Sequence, residues 1–260
     1  MKPAVILVGA DKGGVGKTTV SRALLDYLDA HNIPTRAFDT ETPRGTLHRF
    51  HPDITEIVDV THTSDQMRIL DTLEDSAVKV SLIDVRAGQL STTLAVLRDI
   101  GFLDAAKDGE FTFLLFHILG SSIASLDEIA ETAPFATDAH YYLVKNYVND
   151  STFFEWDPKT YQDHFDTVKS ATDISIPKLD ELAYEQVDLA AVPFSTFRDN
   201  RTADGDQADN SFVLRGYVRT WMRNVAEELD DASVIDTLDV KGKPKIEAKP
   251  RPKAKAKSRK

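Results

Sequence analysis

The chain has 260 residues, 42% of them hydrophobic and 28% charged, which suits one large α/β domain or two small ones. It has no cysteine, which excludes disulfides, thiolate zinc sites and iron–sulfur clusters, and its net charge is −11. No apolar run approaches the roughly 18 residues of a membrane span, and the short run at residues 3–9 is better explained by a buried strand than by a signal peptide.

Apolar strands alternate with amphipathic helices through the first half of the chain, an order typical of a mostly parallel, twisted sheet with helices on both faces. A glycine-rich loop separates the first strand, at residues 4–8, from a helix at 18–30. The pattern predicts further strands at 35–38, 54–60, 78–85, 111–119 and 141–144. It predicts helices at 66–73, 92–104 and 122–132, the last with Ser121 or Ser122 as its N-cap.

The second half of the chain is less regular. Residues 149–160 are interpreted as a loop whose aromatic side chains, Phe153, Phe154 and Trp156, are buried beneath it or form a partner site. A helix at 179–187 is expected between strands at 173–176 and 189–192. Residues 198–210 are rich in Asp, Asn and Gly and are interpreted as an exposed loop.

The last predicted helix, residues 212–229, has two stripes at four-residue spacing. The apolar stripe, which we expect to face the core, consists of Val213, Tyr217, Trp221, Val225 and Leu229. The basic stripe consists of Arg215, Arg219 and Arg223. It is a candidate for binding DNA phosphates, although Arg223 can equally pair with Glu227 one turn away.

Residues 236–260 are predicted to form a disordered basic tail after a folded domain at residues 1–235. Residues 241–260 contain eight lysines and two arginines against one glutamate, a net charge of +9 that leaves −20 on residues 1–240. The tail has no apolar face for inserting into a membrane. Non-specific DNA binding, contact with an anionic membrane surface and a merely solubilising role all remain open.

A phosphate-binding loop is the most specific motif in the chain, with the sequence Lys12-Gly13-Gly14-Val15-Gly16-Lys17-Thr18-Thr19 between a strand and a helix. Glycines let backbone N–H groups converge on a phosphate, and the helix points its positive end at the same anion. We expect Lys17 to bridge the β- and γ-phosphates of ATP, Thr18 to ligate Mg²⁺, and Thr19 to contact the α-phosphate.

The same residues resemble the deviant Walker A motif of the ParA/MinD/Mrp/nitrogenase-iron-protein superfamily, whose mark is the additional lysine, here Lys12. The resemblance covers residues 1–230, with its specific motifs before residue 90. It implies an ATPase that forms a nucleotide-sandwiched homodimer, in which Lys12 reaches the phosphates bound by the partner.

Two carboxylate motifs follow at strand ends. Phe38-Asp39-Thr40-Glu41-Thr42-Pro43 resembles the family segment that places the attacking water; Glu41 is the first candidate and Asp39 the alternative, unless both only cap a turn. Asp84 ends an apolar strand in a Walker B pattern and is expected to hold a Mg²⁺-bound water, the alternative being a surface carboxylate.

The family also implies two contacts with the adenine. Asn146, at the end of a predicted strand, occupies the place of a base-reading residue, and Val192-Pro193-Phe194 resembles a later segment whose backbone touches the base. The alternative is a simple Asn turn and a proline loop.

These motifs together predict a Mg·ATP-dependent ATPase, free in the cytoplasm or associated with the nucleoid. It would dimerise on ATP and position or partition DNA or another cargo with an unidentified partner protein. The missing Walker B prolines, and Glu41 in place of the usual second aspartate, favour a divergent, plasmid-type branch. Two other functions remain open: a nucleotide-gated adaptor with little hydrolysis, and a metabolic ligase of the dethiobiotin-synthetase or cobyrinate-amidase type.

Overall fold

A seven-stranded, all-parallel sheet forms the centre of the protein in a computed structural model that describes residues 2–75, 77–148, 153, 158–165 and 171–238. The strand order is β3-β2-β4-β1-β5-β6-β7. The strands are β1 (Ala4–Gly9), β2 (Thr35–Asp39), β3 (Thr55–Ile57), β4 (Val80–Asp84), β5 (Thr112–Leu119), β6 (His140–Asn146) and β7 (Thr172–Ile176). The predicted α/β class with a parallel sheet is confirmed.

Helices cover both faces of this sheet. They are α1 (Lys17–Ala30), α2 (Thr63–Asp71), α3 (Leu90–Asp99), α4 (Phe102–Lys107), α5 (Ile123–Thr132), α6 (Pro158–Phe165), α7 (Glu181–Ala190), α8 (Phe194–Arg198), α9 (Phe212–Asp231) and α10 (Val234–Thr237). A 3₁₀ turn, Ala133–Phe135, follows α5. Among the described helices, none combines the length and hydropathy that a bilayer crossing requires.

The central strands are apolar throughout because both of their faces are buried. Ala4, Ile6 and Val8 of β1 point into the core on the side of α1, α7 and α9, while Val5 and Leu7 point into the core on the side of α3 to α5. The register aligns Val8 of β1 with Asp84 of β4, and Asp84 with Asp39 of β2. Two carboxylates therefore leave adjacent strands at the same edge of the sheet.

The structure differs from the sequence prediction in two of these elements. The helix expected at 92–104 is two helices, because Gly101 adopts a left-handed φ of 79° and begins a new turn. The strand expected at 189–192 is absent: Leu189, 73% exposed, and Ala190 end α7 instead. A short apolar run cannot by itself distinguish a strand from the end of a helix.

The aromatic loop and the basic tail lie partly outside the described residues. Phe153 is buried and its ring lies 4.8 Å from that of Tyr147, whereas Phe154 and Trp156 lie outside the described residues. Residues from Pro158 onward form α6 rather than continuing a loop. The packed chain continues past residue 235, because Val234 and Leu238 are buried; the basic residues 241–260 lie outside the described residues.

The buried stripe of α9 is rotated from the one predicted. Val218, Trp221, Val225 and Leu229 face the core, but Val213 and Tyr217 are 61% and 50% exposed. Each four-residue step advances a helical position by about 40° beyond a full turn, so a stripe built only on such steps drifts around the helix. The observed line includes a three-residue step and stays on one face.

Because α9 is rotated in this way, replacing Trp221 or Tyr217 by alanine should lower the free energy of unfolding by different amounts. Trp221 is 4% exposed and its Nε1 donates to the Pro177 carbonyl at 2.7 Å, so Trp221→Ala should lower the free energy of unfolding by about 3–5 kcal/mol. Tyr217→Ala, on the exposed face, should cost less than about 1 kcal/mol. Urea denaturation measures both, and equal losses would contradict this placement of the helix.

Candidate nucleotide and magnesium site

The glycine-rich loop lies between β1 and α1, at the carboxyl edge of the sheet. Gly14 and Gly16 have left-handed φ values of 74° and 81°. A Cβ atom on Gly16 would lie 2.3 Å from Asn146 Nδ2 and 2.4 Å from a methyl group of Val148. Glycine is therefore required at this position for two reasons, the backbone conformation and the close approach of the end of β6.

Lys17 begins α1, and its side chain is buried against the loop. Its Nζ lies 3.4 Å from the Lys12 carbonyl, and no carboxylate pairs with it within 4.0 Å among the described residues. Burial lowers the pKa of Lys17, although Asp84 and Glu41 oppose that effect. An ammonium group without an ion pair at the start of a helix is suited to a bound anion.

Thr18 and Asp84 meet at the same edge. The Thr18 hydroxyl donates to Asp84 Oδ2 at 2.8 Å, and Asp84 Oδ1 is buried without a hydrogen bond of good geometry. Burial, reinforced by the neighbouring Asp39, raises the pKa of Asp84 to about 7. One hydroxyl and one carboxylate are the protein donors that suit a Mg²⁺ ion, which completes its coordination with phosphate oxygens and water.

The described residues contain no cluster of three or more His, Cys, Asp or Glu side chains able to hold a metal by themselves. The Thr18–Asp84 pair therefore fits a metal that arrives with a phosphate ligand, not one that the protein holds alone.

Asp39 and Glu41 occupy different environments in the segment after β2. Asp39 is 1% exposed and accepts N–H bonds from Glu41 at 2.9 Å, Leu47 at 2.6 Å and His48 at 3.2 Å. Burial raises the pKa of Asp39 despite those bonds. Glu41 is exposed, and its carboxylate accepts a hydrogen bond from the Thr46 hydroxyl. Asp39 thus shapes the turn, and Glu41 is the carboxylate on the accessible surface.

Lys12 extends across the loop to α5. Its Nζ donates to Ser122 Oγ at 2.8 Å, and a Cβ on Gly120 would lie 2.8 Å from the Lys12 stem. Ser122 takes the N-cap position of α5, but its side chain makes no capping bond. Glu128 of the same helix accepts from the Asp11 N–H at 3.2 Å. The sequence signal for Ser122 indicated only a cap, and nothing in the sequence indicated Glu128.

A pocket of about 190 Å³ opens beside Thr19, and its lining includes Asn146, Pro177, Tyr184 and Trp221. Asn146 Nδ2 donates to the Val15 and Gly16 carbonyls, each at 3.1 Å, so this amide also supports the phosphate loop. The Tyr184 hydroxyl lies 2.8 Å from Thr19 Oγ1. The sequence did not indicate that Pro177 and Tyr184 line a pocket. The one local signal was the proline that directly follows β7.

Pro193 and Phe194 do not line this pocket. Pro193 is the N-cap of α8, and the Phe194 N–H donates to Asp26 Oδ2 of α1 at 2.9 Å. This segment is fastened beneath α1, because the buried carboxylate of Asp26 draws the start of α8 onto that helix. A contact of this segment with the base stays a prediction.

The three arginines of α9 have separate surroundings. Arg215 Nε donates to the Asn210 carbonyl at 3.2 Å, and Arg223 Nε lies 4.0 Å from a Glu227 carboxylate oxygen. Arg219 and Arg223, together with Arg198, line a groove of about 260 Å³ between α1 and α9. The stripe exists as a surface feature, and its binding of DNA stays a prediction.

The glycine loop, the buried lysine and the Thr18–Asp84 pair on a parallel sheet define a P-loop protein with a nucleotide-binding fold. No protein-family model matches the chain, and no curated protein matches its sequence. Solved structures do match, and the chain shares the P-loop fold of MinD.

The septum site-determining protein MinD from Pyrococcus horikoshii OT3, complexed with Mg-ADP, is 17% identical with a TM-score of 0.55, over 90% of this chain and 98% of that one. MinD from Aquifex aeolicus is 13% identical with a TM-score of 0.49, over 85% and 97%. A nucleotide-binding protein from Archaeoglobus fulgidus in complex with ADP is 15% identical with a TM-score of 0.45, over 71% and 85%. At these identities the likeness establishes the fold alone.

Because the pKa of Asp84 is raised, we expect the free energy of unfolding to depend on pH when nucleotide and metal are absent. Between the ordinary value of 3.8 and about 7, the folded protein keeps a proton that the unfolded chain has released, so stability falls as pH rises. Asp84→Asn should therefore gain about 2 kcal/mol in free energy of unfolding, relative to wild type, between pH 5 and pH 8.

Urea denaturation at each pH measures this difference. Asp29→Asn, at an exposed position of α1, is the matched control and should show no such trend. A constant difference between Asp84→Asn and wild type would mean that the Asp84 carboxylate is already ionised in the folded protein.

Proposed function

We propose that this protein binds Mg·ATP, hydrolyses it, dimerises on ATP and uses this cycle to position or partition a cargo. The observation that carries the proposal is the 2.8 Å contact between the Thr18 hydroxyl and the buried Asp84 carboxylate, directly beside Lys17. These groups provide one cation and a magnesium site within a loop shaped for phosphate.

The protein's part in the chemistry follows from these positions. Lys17 and the N–H groups at the start of α1 would hold the β- and γ-phosphates, and Thr18 and Asp84 would hold Mg²⁺ directly or through water. Bound Mg²⁺ supplies charge neutralisation on the phosphates. Glu41, on the exposed segment after β2, would orient the attacking water, while Asp39 keeps that segment folded back towards the loop. The pocket beside Thr19 would take the base.

Dimerisation is supported by Lys12. Its ammonium rests on a single neutral hydroxyl, Ser122, at 2.8 Å, and no carboxylate pairs with it among the described residues. A phosphate bound by a second copy would offer this cation a stronger partner than a serine hydroxyl does.

The cargo is the least constrained part of the proposal. DNA, approached through Arg215, Arg219, Arg223 and the basic tail, is one candidate, in a cytoplasmic, nucleoid-associated setting. An adaptor that binds but barely hydrolyses ATP would show one slow turnover. A metabolic ligase would require a small acid substrate for turnover, and Lys12 argues against that role.

The first test concerns nucleotide binding. Lys17→Ala should weaken ATP binding at least about 100-fold, since the phosphate charge is left uncompensated in a buried site. Isothermal titration with Mg·ATP measures this loss, and Lys107→Ala, an exposed lysine at the end of α4, should bind like wild type. An unchanged affinity of Lys17→Ala for Mg·ATP would show that the nucleotide does not bind at this loop.

The second test concerns assembly. Glu41→Ala should slow hydrolysis, so that ATP, but not ADP, shifts the protein from monomer to dimer in light scattering. Adding Lys12→Ala to this background should preserve nucleotide binding and lower the dimer fraction about tenfold or more at equal concentration, because a charge-assisted contact is lost. One unchanged mass in every nucleotide state would refute ATP-dependent dimerisation.

A further inference from the structure

Arg22, in the second turn of α1, is a buried cation held between aromatic rings. It is 1% exposed, and its guanidinium carbon lies 3.4 Å from the ring centroid of Phe50 and 4.2 Å from that of Phe194. Burial lowers the pKa of Arg22 to about 10, so it stays protonated at neutral pH. Arg22 belongs to none of the sequence motifs described above.

The charge of Arg22 is not balanced by hydrogen bonds. Its Nε and Nη2 are buried without a hydrogen-bond partner, and no carboxylate lies within 4.0 Å among the described residues. Asp26, one turn further along α1, is occupied by the N–H groups of Phe194 and Ser195. The faces of the two rings are therefore the main compensation for a cation removed from water.

The position of Arg22 connects the nucleotide helix to the segment that follows β2. Thr18, Arg22 and Asp26 lie at four-residue spacing and so share one face of α1. Phe50 lies next to the last residue of the 40–51 segment, which also contains Glu41. The same segment is also fastened at Asp39, which accepts the N–H groups of Leu47 and His48.

Among the described residues, one ion pair at this end of the segment reaches another element: Arg49 Nη1 lies 3.2 Å from Asp188 Oδ2 of α7, and both side chains are more than 40% exposed. Exposed pairs contribute little. His51, next to Phe50, is buried, and both burial and Arg22 lower its pKa to about 3, so it adds no second charge. The buried attachments at this end of the segment are therefore the Arg22–Phe50 contact and Leu47, which is fully buried in the same core cluster as the apolar side chains of α1. Of the two, only the Arg22–Phe50 contact involves a charge.

We propose that Arg22 is a positioning residue that clamps the 40–51 segment onto the nucleotide-binding helix and so fixes Glu41 relative to the phosphate loop. The contact between Arg22 and Phe50 is present in the protein without nucleotide. Its effect on turnover rests on the proposed function, in which Glu41 orients water.

The clamp is tested by limited trypsin digestion of the full chain, because Arg44 and Arg49 lie within the segment and both are exposed. Arg22→Met keeps the length and removes the charge and the planar group. It should accelerate cleavage after Arg44 and Arg49, quantified by mass spectrometry, by about tenfold, because cleavage follows the population of the opened segment. Arg22→Lys keeps only the charge and should fall between Arg22→Met and wild type.

Arg98→Met is the matched control, since Arg98 lies over the Phe135 ring at 5.4 Å, at a site outside this segment. It should leave both cleavage rates unchanged. If Arg22→Met does not fold, Phe50→Leu removes the ring from the other side of the contact while keeping an apolar side chain, and it should accelerate cleavage in the same way. Unchanged cleavage after Arg44 and Arg49 in a folded Arg22→Met or Phe50→Leu protein overturns the clamp.

Kinetics separate this proposal from the proposed function. If the wild type hydrolyses ATP, Arg22→Met should lower kcat about tenfold and keep the ATP dissociation constant within about threefold, as expected when a transition-state contact is misplaced. Lost affinity with unchanged kcat would assign Arg22 to the nucleotide pocket and overturn the effect on Glu41. If the wild type does not hydrolyse ATP, the proposed function fails, and the trypsin result still decides the clamp.

Discussion

Two carboxylates buried at the ends of adjacent strands are the constraint on which the site depends. Asp39 and Asp84 are aligned in register and are 1% and 4% exposed. Burial raises the pKa of both carboxyls, and the neighbouring Asp39 adds to the rise at Asp84. A sheet that brings such groups together must supply donors or a cation. For Asp39 the donors are backbone N–H groups of the following turn. For Asp84 they are Thr18 and the nearby Lys17, and its Oδ1 is buried without a hydrogen bond of good geometry.

Helix α1 organises the surroundings of this pair. Its first turn provides Lys17 and Thr18, its second turn holds the 40–51 segment through Arg22, and its third turn binds the start of α8 through Asp26. A single helix therefore fixes the positions of the loop, the segment after β2 and the start of α8. Since packed elements of this kind move as units, a displacement of α1 would be felt at all three places.

The sequence predicted the parts that depend on local rules. Continuous apolar runs predict buried parallel strands, and glycine spacing between a strand and a helix predicts the phosphate loop. Asp84 was identified because a strand end is visible locally. The sandwich around Arg22 was not, since Phe50 and Phe194 are distant in sequence and no periodicity connects them. The placement of Pro193 and Phe194 was likewise decided by packing against α1, which a single turn does not encode. The buried face of α9 differs from the prediction because the predicted stripe used only four-residue steps.

Two of the contacts that hold the end of the 40–51 segment respond differently to dissolved salt. Arg49 and Asp188 are exposed and 3.2 Å apart, so dissolved ions weaken their attraction as the Debye length falls from about 8 Å at physiological ionic strength to about 3 Å at 1 M salt. Arg22 and Phe50 are 1% exposed each, and ions do not reach the space between them. In concentrated salt the segment would keep its inner attachment and lose its outer one. Ionic strength would then loosen its contact with α7 while leaving its contact with the nucleotide helix in place.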